Sequence, residues 1–90
     1  MLYLAAMAPR TTTTDIEARI RAAIADSQVS VEDTTGGGDH FSAIVVASAF
    51  AGKSLLDRHR MVYAALGELM HREIHALALS TVTPEEYKRT

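Results

Sequence analysis

Ninety residues, 48% apolar and 22% charged, make one globular domain, large enough for a modest core and too small for a wide enzyme cleft between lobes. The formal charge of −2 argues against a dedicated nucleic-acid binder, and no apolar run is long enough for a membrane-spanning helix. Without cysteine the chain forms no disulfide, so any metal must be held by histidine, carboxylate or ligands lent by a partner.

Residues 1–12 read as a flexible lead-in outside the fold, and the domain proper as 13–90. The apolar stretch 1–8 is too short for a secretory signal and has no basic residues before it, and Met7 serves as well as Met1 for a start. Thr14-Asp15-Ile16-Glu17 has the form of a capping box, which predicts a helix from Thr14 to about Ser27 with Ile16, Ile20, Ala23 and Ile24 on its apolar stripe. Asp15 with Arg19 and Glu17 with Arg21 are acid-first pairs four residues apart. A half-buried strand over 29–34 follows. Thr35-Gly36-Gly37-Gly38-Asp39 then makes a flexible turn.

The next strand, predicted over 40–49, carries Phe41, Ala43, Val45 and Ala47 on one side and Ile44 and Val46 on the other, so it belongs in the middle of a sheet. Beyond it Ser54 caps the longest periodic stretch of the chain. With Leu55 at the centre of a face, His59, Val62, Leu66, Leu69 and Met70 fall within about 60° of it, predicting one helix that runs to His71 and Arg72. Period 2 then predicts a strand over 74–80, with Leu77 and Leu79 on one face and Ala76 and Ala78 on the other. The long connection makes this strand parallel to the central one, whereas the first two form an antiparallel hairpin. Thr83-Pro84-Glu85-Glu86 starts a terminal helix. The order α-β-β-α-β-α is an α+β domain with a three-stranded mixed sheet packed against helices. Ile20, Ile24, Phe41, Val45, Val62, Leu66 and Leu77 are its expected core.

Two stretches suggest chemistry that weighs little. ASAFAGKS at 47–54 is one residue from a phosphate-binding loop but lacks its first glycine and puts Phe50 in the middle. In the structural reading Gly52 turns the chain, Phe50 packs inside and Lys53 is solvated. Lys53, Arg58, Arg60 and Arg72 make a basic cluster that Asp57, Glu68 and Glu73 largely offset, and no aromatic side chains interleave with it as a stacking platform needs. Of the histidines, His59 lies on the buried stripe as a hydrogen-bonded core residue and His71 caps a helix end. His75 opens a strand just after a turn, where its ring reaches solvent. His40 sits at the far end of the glycine-rich turn, and two neutral imidazoles there are able to share one iron.

The pattern FxGKxLLxRHRxVYxxL at 50–66, followed by IHALxLxxxTPEE at 74–86, resembles the BolA family of small proteins with a KH-like (class II) fold, and the match extends from VEDTT at 31–35 to Tyr87. That resemblance implies a helical turn around 53–56 before the long helix. It also implies a non-enzymatic partner of a monothiol glutaredoxin, the pair holding a two-iron two-sulfur cluster for iron-sulfur trafficking or iron and redox sensing. Glutaredoxin and glutathione supply the thiolates and His75, which matches the histidine of the family's IHA motif, supplies an imidazole. Many relatives carry a cysteine or second histidine in the first turn, at the position of Gly37 here, which has no side chain to donate. Either His40 replaces it or this chain makes one bond where relatives make two. The expected protein is a cytoplasmic monomer when free, with an organellar setting as the other option. The alternative function is a DNA-binding transcriptional regulator that uses the KH-like fold with Lys53, Arg58 and Arg60.

Overall fold

The computed structural model describes residues 11–89, apart from the Arg72 side chain; the lead-in over 1–10 lies outside the described residues. The cap of helix α1 (Thr13–Ala23) lies two residues earlier than expected. Thr12, not Thr14, is the cap: its hydroxyl accepts the Asp15 amide at 3.1 Å and the Asp15 carboxylate accepts the Thr12 amide at 3.0 Å. Thr11 is buried as well, so Thr11 and Thr12, expected in the lead-in, take part in the fold. The expected cap partner, Glu17, is thereby free to reach β1 (Gln28–Asp33), where it accepts the Val31 amide at 3.2 Å. Its neighbour Arg21 donates to the Val29 carbonyl at 3.2 Å and lies 3.7 Å from Glu17. Two side chains thus engage polar groups along β1's unpaired edge, the kind of cover that discourages a foreign strand from adding there. The helix stops at Ala23, before the expected Ser27, because Ile24 is already extended and Asp26 adopts φ 60°.

Strand β2 (His40–Val46) is central, with β1 antiparallel on one side and β3 (Ala76–Val82) parallel on the other. The alternation works as expected. Phe41, Ala43, Val45 and Ala47 face the helices and are at most 2% exposed, whereas Ile44 on the open face is 43% exposed. The strand ends at Val46 rather than 49, since residues 48–50 form a 3-10 turn that seats Phe50 in the core. This is the helical turn before the long helix, five residues upstream of 53–56. Strand β3 starts two residues later than expected; Ile74 belongs to the core ahead of it, and Leu77 and Leu79 take the inner face.

Helix α2 (Leu55–Leu66) is capped by Ser54, whose hydroxyl accepts the Asp57 amide at 3.1 Å. Val62 and Leu66 are fully buried against Ile16, Ile20, Ile24 and Phe41. Leu55, expected at the centre of the stripe, is 62% exposed, because periodicity identifies a face without saying whether anything lies opposite its first turn. Nor does the helix run on to Arg72: Gly67 adopts φ 55°, a conformation open to glycine, and the chain restarts as α3 (Leu69–Arg72).

Helix α4 (Pro84–Lys88) has the predicted cap, with reciprocal bonds between Thr83 and Glu86. Glu86 also takes a bidentate ion pair from Arg58, at 2.7 and 3.2 Å. Hydrogen bonding from Arg58, then from the Thr83 amide, pulls the Glu86 carboxyl from its ordinary 4.5 down to about 2. A carboxyl depressed in the folded state adds stability above pH 4.5 and loses it as pH falls toward about 2. Glu86→Gln should therefore lower the thermal midpoint at pH 6, and that deficit should shrink on acidification to pH 2. A deficit independent of pH would show that the ion pair contributes nothing.

Candidate metal centre

The parallel register of β2 and β3 opposes His40 to Ala76, so His75 lies one residue before the pair. The rings of His40 and His75 come together, centroids 5.3 Å apart and planes tilted by 53°. Backbone bonds fix this arrangement: the Asp39 carbonyl accepts the amides of both His75, at 2.7 Å, and Ala76, at 3.1 Å. His75 is exposed; the His40 side chain is 39% exposed.

The turn that carries His40 is not a loose glycine linker. The Asp33 carboxylate accepts the amides of Thr35, Gly36 and Gly38 at 3.3, 2.9 and 2.9 Å, and Thr34 closes the turn by donating its amide to the His40 carbonyl at 2.9 Å. Gly36 and Gly38 take φ 79° and 77°, so glycine serves the backbone there. The Thr35 hydroxyl donates to Asp39 Oδ1 at 3.3 Å, and that same oxygen lies 3.0 Å from His40 Nδ1. The His40 imidazole beside it holds the Asp39 carboxyl below its usual range. The approach is oblique, short of an aligned hydrogen bond; even so, Nδ1 is shielded from solvent and has no better-placed partner among the described residues.

Two imidazoles on one tetrahedral metal, each nitrogen about 2 Å from it, put their ring centroids roughly 5 Å apart, so this pair has the spacing to share an iron. No set of three or more His, Cys, Asp or Glu side chains converges among the described residues. The chain therefore fits as the donor of up to two ligands and needs a partner for the rest. Gly37 adds none. A Cβ built there would sit 3.1 Å from Asp39 Oδ1 and 3.3 Å from Thr35 Oγ1.

The other candidates lie elsewhere. His59 is half-buried with its ring edge-on to Tyr63 at 6.3 Å, and its shielded Nε2 finds no hydrogen-bond partner among the described residues, so it is not the hydrogen-bonded core residue expected. His71 is exposed on α3. Arg58 is the least available of the described basic side chains: it donates to the carbonyls of Lys53 and Thr81, pairs with Glu86, and stands 5.9 Å over the Phe50 ring, with only 12% of its side chain exposed. Lys53 is exposed, and Arg60 is too, reaching Asp57 at 3.8 Å. The phosphate-loop reading of 47–54 does not survive. A phosphate cradle needs free amides, and those of Phe50, Ala51 and Lys53 donate to the carbonyls of Ala47, Ser48 and Phe50.

Sequence reasoning missed Asp33 and Asp39. A flanking pair of aspartates around three glycines was the available signal, since Asx side chains commonly collect turn amides.

Comparison with known proteins agrees with this architecture. The family model for BolA, described as BolA-like protein, matches residues 12–86. The DNA-binding transcriptional regulator BolA of Escherichia coli K12 is 36% identical over 80 residues, covering 81% of this chain and 76% of the relative. Protein BOLA2 of Arabidopsis thaliana is 44% identical over 75 residues, covering 81% and 80%. Among solved structures, a bolA protein homologue from Coxiella burnetii superposes with a TM-score of 0.76 at 48% identity, covering 88% of this chain and 99% of that one. No helix among the described residues is long and apolar enough to cross a membrane. By sequence and by fold, the chain belongs to the BolA family.

Proposed function

We propose that this chain is a non-enzymatic partner of a monothiol glutaredoxin, and that the two hold a two-iron two-sulfur cluster between them in iron-sulfur trafficking or iron and redox sensing. The observation that carries the reading is the His40–His75 pair, 5.3 Å between centroids at one end of the sheet in a chain with no cysteine of its own. Glutaredoxin and glutathione contribute thiolates, and His75, with His40 beside it, contributes imidazole. Imidazole in place of thiolate removes negative charge from one iron and raises the reduction potential of the cluster. This chain's part is to present neutral nitrogens at an exposed rim and to hold them there through the Asp39 carbonyl. Mixing the purified protein with cluster-loaded glutaredoxin should change the visible spectrum and yield a complex of the two chains. An unchanged spectrum with no complex would defeat the reading.

The second reading, nucleic-acid binding, is favoured by the Escherichia coli relative, which is a DNA-binding transcriptional regulator. Lys53 and Arg60 are exposed to meet phosphates, Arg60 beside Asp57, whereas Arg58 is engaged within the domain. With two exposed cations among these three, any DNA affinity through them should be weak, without a specific site, and little changed by Arg60→Ala in a gel-shift titration at two salt concentrations. Tight specific binding that falls steeply with salt and is lost in Arg60→Ala would put the regulator first.

A further inference from the structure

We infer that Asp39 is the positioning residue that makes His40 a ligand: its carboxylate at Nδ1 holds the ring in the Nδ1–H tautomer and leaves Nε2 bare as the donor. The inference rests on the cluster-sharing reading above and adds the group that equips the second imidazole.

A neutral imidazole has one proton and one lone pair, and the partner of one nitrogen decides which atom keeps the proton. In His40 the nitrogen shut away from solvent is Nδ1, with Asp39 Oδ1 at 3.0 Å. A carboxylate accepts and cannot donate, so the proton belongs on Nδ1 and the lone pair on Nε2. Carboxylates in this position behind metal-bound histidines both orient the ring and make it a stronger donor. Asp39 is itself held, Oδ1 by the Thr35 hydroxyl and the backbone by the two amides that also fix His75. One residue therefore organises both imidazoles, His40 through its side chain and His75 through its carbonyl.

The same geometry connects Asp39 to the glycine at 37. A side chain there would begin 3.1 Å from Asp39 Oδ1, tighter than ordinary contact, and would push on the oxygen that meets His40. A ligand projecting from position 37 and a carboxylate-backed His40 compete for one space. This chain has taken the second arrangement.

The test compares Asp39→Ala and Asp39→Asn with the unmodified protein. Both keep the backbone carbonyl that binds the His75 and Ala76 amides, and asparagine retains an oxygen that accepts from Nδ1. Nitrogen-15 NMR of the ring nitrogens, in the protein alone at a pH where the imidazoles are neutral, should show His40 as the Nδ1–H tautomer in the unmodified protein and in Asp39→Asn, and as Nε2–H in Asp39→Ala. With cluster-loaded glutaredoxin, Asp39→Ala should reproduce the spectral change of His40→Ala and shorten the cluster's lifetime about tenfold, the lower end of what losing such an outer partner costs. An Nε2–H tautomer in the unmodified protein, or one unaltered by Asp39→Ala, overturns the inference whatever the cluster does. A cluster that responds to His75→Ala but not to His40→Ala or Asp39→Ala also overturns it, and leaves the glutaredoxin partnership standing. If His75→Ala is silent as well, the partnership reading fails separately.

Discussion

Leu66→Ala should lower the stability of the domain by about 2 to 5 kcal/mol, read as a shift in the urea midpoint at unchanged slope. Leu66 is fully buried in the last turn of α2 and packs in one cluster with Ile16, Ile20, Phe41 and Val62. Two features make the cavity hard to close. The helix ends at the next residue, where Gly67 at φ 55° turns the chain into α3, and the neighbouring Val62 is itself fully enclosed. A domain of this size has a total stability of roughly 5 to 15 kcal/mol, so the loss is a large fraction of the whole. Leu55→Ala supplies the control. Leu55 has the same side chain on the same helix but is 62% exposed, and its loss should stay within about 0.5 kcal/mol. Equal effects at the two positions would mean that the buried face of α2 has been misassigned.

The contrast between Leu55 and Leu66 also shows what the amino-acid sequence reveals. Signals complete within a few residues were legible: the Phe41, Ala43, Val45, Ala47 alternation, the Ser54 cap, and the Thr83-Pro84 start with Glu86 three residues beyond its cap. So was the proximity of His40 and His75, because a parallel crossover returns the third strand to the sheet end at which the second begins. Boundaries blurred where several residues competed for one role. A run of four threonines at 11–14 offers four hydroxyls, and only the finished helix shows that Thr12 with Asp15 makes the cap. Gly67 was passed over because an isolated glycine inside a helical pattern is often tolerated. Arg58 looked like surface charge because its partner Glu86 is 28 residues away, and only the docking of α4 beside β3 brings them together. Asp33 and Asp39 were hidden for a related reason: their roles exist only after the turn has closed on them. The candidate site was thus readable in its imidazoles and unreadable in the carboxylates and carbonyl that hold them.

His75→Ala is the substitution expected to separate folding from function most cleanly. The ring is exposed just ahead of β3, and the contact that anchors this position is the His75 amide on the Asp39 carbonyl at 2.7 Å, which alanine keeps. Thermal and urea midpoints should therefore stay within about 0.5 kcal/mol of the unmodified protein. The complex with cluster-loaded glutaredoxin should change strongly in its visible spectrum and lose its cluster faster, since a methyl group offers iron no lone pair. His40→Ala examines the second donor: an effect similar to that of His75→Ala makes His40 the ligand that Gly37 is not, and an unmoved spectrum leaves this chain with one bond to iron. His59→Ala closes the comparison. Its ring leans on Tyr63, with Nε2 shielded and unpartnered among the described residues, so its loss should alter stability and leave the cluster unchanged. A spectrum that answers to His59 while ignoring both His40 and His75 would remove the metal centre from this end of the sheet altogether.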